Sequence, residues 1–251
     1  MKVSGVIFDK DGTLVDFHKV WIPAANSVIK RVLREYEIQE TLENQELALN
    51  TIGVYENQID PNGALAWKTY SEIAMELKPK LESMKEGICI DAKKLGEKLD
   101  EFFEEEILGE DKQLEQVADL LFLMDTLKKR NVKIGVATTD TYKSTISCLE
   151  KLEILPYFSF FCMDQMPIPM PPKPSGRIIS QAAKYWEISP DEILVVGDSP
   201  NDMKLAHNGG AIAVGVLSGV SKKINLKPIS DYLIDSVADV PGLIRKLEIE
   251  E

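Results

Sequence analysis

Asp9 and Asp11 stand two residues apart, directly after the apolar run Val3–Phe8 and directly before Gly12. Carboxylates at that spacing on an extended segment face the same side, and a glycine just past them lets the backbone turn sharply. Their oxygens suit a hard cation such as Mg²⁺, which keeps room for substrate phosphate. A carboxylate can also attack phosphorus to give an aspartyl-phosphate. An Asp-Gly pair alone usually just ends a strand in a solvated turn, so the weight rests on what else the chain supplies. It supplies Asp198 and Asp202 in VVGDSPNDMKLA, Thr138 and Thr139 in GVATT, and Lys173 in PPKPSGR.

These residues need elements to hold them. Val3–Phe8, Val132–Thr138, Ile193–Val196, Ala211–Val216 and the weaker Asp231–Ile234 read as buried strands. They alternate with helix-like stretches at Leu114–Lys129, Tyr142–Leu152, Gly176–Trp186, Asn201–His207 and Val240–Leu247. Apolar strands alternating with helices predict a parallel sheet covered on both faces. Such sheets bind ligands beyond the carboxyl ends of their strands, and the three strongest runs end there in Asp9, Thr138 and Asp198.

Residues 17–113 differ, with helix formers throughout and no convincing strand: Val20–Tyr36, Leu42–Asn50, Gly63–Leu77 and Asp91–Ile107. Pro23 falls in the first turn of the first of these, where proline is tolerated. The segment Met163–Pro174 is too proline-rich for helix or central strand and reads as a stiff loop. The expected fold is α/β: a Rossmann-like parallel sheet core, residues 1–16 and 114–251, with an inserted all-helical domain, 17–113.

The run DKDGTL after an apolar strand resembles the first motif of the haloacid dehalogenase superfamily. The pattern DxDGT fixes four letters, which coincide by chance at about one start position in a hundred thousand. Thr138 resembles the second motif, with Thr139 as the alternative register. Lys173, followed by Pro174 and a helix, resembles the third, with Arg177 a weaker candidate. Asp198 and Asp202 match the fourth, GDxxxD, and all four occur in order. The resemblance implies Asp9 as nucleophile and Mg²⁺ ligand, and Asp11 as general acid and base and a carbonyl ligand. Asp198 becomes a direct ligand. Thr138, Thr139, Lys173 and Gly12 bind phosphate, while Asp202, Thr13, Ser199 and Asn201 support from behind. Asp202 also stands where it can cap the helix that follows.

Within that superfamily, Asp11 favours phosphoryl chemistry over dehalogenation, and Thr13 with Asp202 favours a phosphatase over a phosphomutase of the β-phosphoglucomutase type. The helical insertion resembles a type 1 cap, which implies a small phosphorylated metabolite as substrate. Phosphoglycolate-phosphatase-like enzymes are the nearest subgroup. Two readings from other classes stand beside this one. A phospho-acceptor receiver domain is about half this length and lacks the second acid. An idle, partner-binding relative has no reason to keep Asp9, Asp11, Lys173 and Asp198 together.

The bulk numbers bound the partners. With a net charge of −12 over 251 residues, neither nucleic acid nor an anionic membrane surface is an expected partner. Oligomeric state is not legible. The apolar run at the start is broken by Asp9, Lys10 and Asp11 too early for a secretory signal, so the expected address is the cytoplasm. Cys89, Cys148 and Cys162 form no CxxC pair and read as buried thiols. His18 and His207 are too few for a histidine-based site, and Trp21, Trp67 and Trp186 read as core.

Overall fold

A computed structural model describes residues 2–56, 58–109 and 114–249. The chain opens with β1 (Gly5–Phe8), α1 (Phe17–Glu35) and α2 (Leu42–Thr51). A short hairpin, β2 (Val54–Tyr55) and β3 (Gln58–Ile59), precedes α3 (Ala64–Trp67), α4 (Tyr70–Met84) and α5 (Ala92–Leu108). Next come α6 (Leu120–Lys129), β4 (Lys133–Thr141), α7 (Tyr142–Lys151), β5 (Phe160–Asp164) and α8 (Arg177–Trp186). The last stretch holds β6 (Ile193–Gly197), α9 (Pro200–Gly209), β7 (Ile212–Val216), α10 (Lys223–Leu226), β8 (Tyr232–Ile234) and α11 (Val240–Ile249).

Two compact units divide these elements: Met1–Phe17 with Leu114–Glu251, and His18–Gln113. The first is the α/β unit. Its six strands are parallel and run β5-β4-β1-β6-β7-β8. From β1 the chain travels to one side for β4 and β5, then returns to the other for β6 to β8. That reversal at β1 opens a crevice between its carboxyl end and its neighbours'. The register matches Phe8 with Val136 on one side and with Val196 on the other. Asp9 therefore leaves the sheet alongside the ends of β4 and β6.

All four residues of β1 are buried, as the continuous apolar run requires of a strand covered on both faces. One cover is α8, which buries Ile178, Ile179, Ala182, Ala183 and Trp186, one stripe of a 3.6-residue period. The Trp186 ring lies over Gly5 and Gly135, where a Cβ would come within 2.9 and 3.1 Å of it. Its Nε1–H donates to Ser159 Oγ at 3.0 Å.

The second unit is helical apart from the hairpin, whose strands of two residues each are too short to show a period in sequence. Trp21 and Tyr70 pack on Phe103 with ring centroids 5.3 and 5.4 Å apart, beside buried Leu77, Leu81, Leu95 and Leu99. Helix α1 begins three residues before the expected Val20, so Pro23 sits inside the helix rather than in its first turn. The stretch expected as one helix from Gly63 to Leu77 is two. Thr69 starts α4 with a capping box closed by Glu72, which satisfies free N–H groups that a continuous helix would not have. Helix α6 likewise starts at Leu120 rather than Leu114, because Asp119 caps it by accepting from the Phe122 N–H. β5 is not among the expected strands, and its last two residues, Met163 and Asp164, open the stretch expected as a loop; the strand pairs onto β4 as the sheet's edge, and the prolines begin only after it. Among the described residues no helix is long and apolar enough to cross a membrane.

Candidate active site

Each strand end contributes one part. Asp9 follows β1, and its amide donates to the Val196 carbonyl at 2.9 Å, so the sheet ladder continues one step and fixes its Cα. Asp198 follows β6, and Asp202 lies in the first turn of α9. Carboxylate oxygens of Asp9, Asp198 and Asp202 all fall within 4.8 Å of one another. Three like charges so close in a buried site need compensation. Lys173 supplies part of it: its Nζ donates to Asp9 Oδ1 and to Asp202 Oδ1, both at 2.6 Å, with the lysine side chain 4% exposed.

The electrostatics follow from burial. Desolvation pushes Asp9 up from 3.8 to about 7, the Asp202 and Asp11 charges add to it, and Lys173 opposes. Asp198 is raised well above the usual carboxylate range, first by burial and then by Asp9 and Asp202. Burial would lower the Lys173 ammonium, but the charges of Asp202 and Asp9 outweigh it and hold the group above its ordinary value.

Hydrogen bonds sort the three carboxylates. Asp202 Oδ1 is taken by Lys173, and Oδ2 by the Ser199 N–H at 3.1 Å and the Ser199 hydroxyl at 2.6 Å. Both its oxygens are engaged, so it braces the site. Asp9 gives one oxygen to Lys173, and Asp198 gives Oδ2 to the Val220 N–H at 2.7 Å. Each keeps an oxygen for which the described residues show no protein partner. Two buried carboxylates with a spare oxygen each, and with pKa values raised by burial and by neighbouring acids, fit a hard divalent cation.

Two glycines pack closely on Asp198. Gly12 has φ +82°, and a Cβ there would lie 2.3 Å from Asp198 Oδ2; at Gly219 the distance would be 1.9 Å. The Ser218 hydroxyl donates to the Gly12 carbonyl at 2.8 Å. The segment Ser218–Val220 past β7 is thus part of the site, although nothing in its composition announces it beyond lying at the same sheet edge.

The other expected residues are placed as follows. Thr138 is buried inside β4, which runs on to Thr141 rather than stopping at Thr138 and shifts register after Ala137; its Oγ1 accepts from the Asp140 N–H at 3.1 Å, and Thr139 is half-buried beside it. Asp11 pairs with Lys10 Nζ, at 2.9 Å from Oδ1 and 2.7 Å from Oδ2. Thr13 is fully buried, and its hydroxyl has no hydrogen-bond partner among the described residues. Asn201 is half-buried in the first turn of α9, and Arg177 is exposed at the start of α8. Buried Lys10 and Asp140 carry charge in this region and were not singled out in the sequence. Cys148 and Cys162 are buried as expected, whereas Cys89 is exposed.

Residues 3–210 match the family model described as haloacid dehalogenase-like hydrolase. The chain belongs to that family. A pyrophosphatase PpaX of Bacillus mycoides is 25% identical over 250 residues, covering 98% of this chain and 99% of that one. A phosphoglycolate phosphatase of Shigella boydii is 26% identical over 244 residues, covering 95% and 91%. Other matches are partial: the chain spans 64% of a PpaX-type protein of Clostridium perfringens, at 29% identity, and 42% of a heptose-bisphosphate phosphatase of Haemophilus influenzae, at 32%. Among solved structures, a predicted phosphoglycolate phosphatase of Haemophilus somnus superposes with TM-score 0.70 at 23% identity, covering 100% of this chain and 99% of that one. The two chains thus share one fold over nearly their whole lengths.

Proposed function

We propose that this hydrolase is a phosphatase of small phosphomonoesters, with Asp9 as nucleophile and Asp11 as general acid and base. The observation that carries it is the Lys173 ammonium, bonded at 2.6 Å both to Asp9, just past β1, and to Asp202, in the first turn of α9. That arrangement keeps Asp9 oriented and offers a point charge for a phosphoryl oxygen. The Thr138 hydroxyl, whose oxygen already accepts from Asp140, keeps its proton free to donate to another phosphoryl oxygen.

An Asp9 carboxylate oxygen attacks phosphorus, and the ester P–O bond breaks. The electron pair leaves with the departing oxygen, which takes the proton from the Asp11 carboxyl. In the second half Asp11 takes a proton from water as the water oxygen attacks phosphorus. The bond to Asp9 breaks, and inorganic phosphate leaves. Mg²⁺ bound by Asp9, Asp198 and the Asp11 carbonyl would offset charge on the transferring group. Asp202 stays with Lys173 and Ser199, holding the lysine rather than reacting.

We read the helical unit as the cap that selects the substrate, since the phosphate-binding motifs all belong to the α/β unit. A small two-carbon acid phosphate of the phosphoglycolate kind is the first substrate to try, on the likeness to the Shigella enzyme along nearly the whole chain.

The test is Asp9→Asn with p-nitrophenyl phosphate and Mg²⁺. Activity should fall by at least about 1,000-fold. Without Mg²⁺ the same variant should melt no lower than the parent, because the substitution removes a carboxylate that burial makes costly to ionise. Full activity in a folded Asp9→Asn protein excludes Asp9 as nucleophile.

A further inference from the structure

Lys10 lies between the two acids of the first motif and is only 2% exposed, a rare state for lysine. A buried ammonium has to be paired. Its Nζ reaches both oxygens of Asp11, at 2.9 and 2.7 Å, and Asp140 Oδ2 at 3.0 Å. The α/β unit therefore holds two clusters of the same make: Lys173 between Asp9 and Asp202, and Lys10 between Asp11 and Asp140.

Asp140 is anchored in its turn. Its Oδ1 accepts from the Thr141 N–H and its Oδ2 from the Ser144 hydroxyl, each at 2.7 Å. Thr141 caps α7, and the Asp140 N–H donates to Thr138. The end of β4 thus fixes Asp140, Asp140 fixes the Lys10 ammonium, and that one nitrogen, in contact with both Asp11 oxygens, tethers the carboxylate.

We propose that Lys10, held by Asp140, is the positioning residue that aims the Asp11 carboxylate for proton transfer to the leaving group. This rests on the phosphatase reading above, in which Asp11 is the acid. A general acid works only within about 2.6–3.2 Å of the oxygen it protonates. A short side chain at the mouth of a turn would otherwise sample several rotamers. A purely structural role is the competing account, since a buried ion pair between β1 and β4 could simply tie the two strands together. Buried pairs add little net stability over apolar residues of similar volume, and the two accounts predict different kinetics.

The discriminating measurement is kcat/KM on two probes, p-nitrophenyl phosphate and glycerol 2-phosphate. Nitrophenolate leaves without a proton, whereas an alkoxide needs one. In Lys10→Met the glycerol 2-phosphate value should fall about 100-fold, and the p-nitrophenyl phosphate value at least tenfold less. Asp140→Asn, which keeps the side chain's shape, should shift the ratio in the same direction by a smaller factor. Should Lys10→Met fail to fold, Asp140→Asn carries the test. Equal losses on both probes, or no loss, overturn the positioning role. Asp11→Asn separates this failure from failure of the parent reading. If Asp11→Asn selectively loses glycerol 2-phosphate and the Lys10 and Asp140 variants do not, only the positioning role falls. If Asp11→Asn shows no selectivity either, the acid assignment falls with it.

Discussion

Lys173→Met is the substitution that most directly probes the site. Methionine fills a similar volume, so the lost feature is the ammonium. In the parent that group is bonded at 2.6 Å to each of Asp9 and Asp202. Even with it present, burial carries Asp9 from 3.8 to about 7. At about 1.4 kcal/mol per tenfold change, that rise already corresponds to about 4 kcal/mol against an ionised Asp9. Without the lysine, two buried carboxylates face one another unpaired, and breaking a buried pair costs about 3–5 kcal/mol. Metal-free Lys173→Met should therefore melt about 10 °C below the parent near pH 8.

The pH dependence has a definite sign. A carboxylate whose folded pKa is raised binds its proton more tightly when folded, so folding loses stability as pH rises from the ordinary carboxylate value through the folded one. Lys173 lowers Asp9 toward the ordinary value, and removing it pushes the folded pKa of Asp9 further up. The gap between variant and parent should then be wider at pH 8 than at pH 5, where Asp9 is protonated in both. Thermal melts in metal-free buffer at the two pH values measure it. A gap that is absent, or the same at both pH values, refutes the charge account of Lys173.

Gly219→Ala should cost at least tenfold in activity and weaken Mg²⁺ dependence, because a Cβ there would come 1.9 Å from Asp198 Oδ2 and must displace that carboxylate. A Mg²⁺ titration of p-nitrophenyl phosphate hydrolysis checks it, with a parent-like curve counting against the contact. Cys89 should be the one thiol labelled readily by a disulfide reagent at pH 8. It is exposed, whereas burial pushes Cys148 up to about 12 and Cys162 up to about 11, and the thiol form is a poor nucleophile. Rapid labelling of three sites in the native protein refutes this.

Much of the α/β unit was legible because its strands are unbroken apolar runs that end in polar residues at one edge. Asp9 and Asp198 are such ends, and the structure brings their carboxylates together with that of Asp202. β5 was missed for the opposite reason. Its residues FFCMD mix aromatics with a terminal acid and run straight into the proline-rich loop, so the short strand is masked by the stronger loop signal. The hairpin of the helical unit has strands too short for a period of two to emerge. Lys10 and Asp140 were illegible in a different way. Their meeting depends on the pairing of β1 with β4, in which Phe8 faces Val136, and no local pattern encodes a partner so far along the chain. The Ser218–Val220 segment shares that difficulty, since its contact with Asp198 is set by β7 lying beside β6.

The energetics of the site separate chemistry from architecture. A parallel sheet edge built for stability alone would end its central strands in groups whose polar atoms are satisfied locally. Here two central strands end in carboxylates that burial makes hard to ionise. The nearby ammonium is bonded to Asp9 but bears on Asp198 less than burial and the neighbouring acids do. Replacing Asp9 and Asp198 by asparagine would keep the size and relieve the repulsion. Folding therefore gives no reason for these acids to be there, while the proposed reaction, with its phosphoryl group and divalent cation, would. Both bring charges that the spare oxygens and the lysine are arranged to meet.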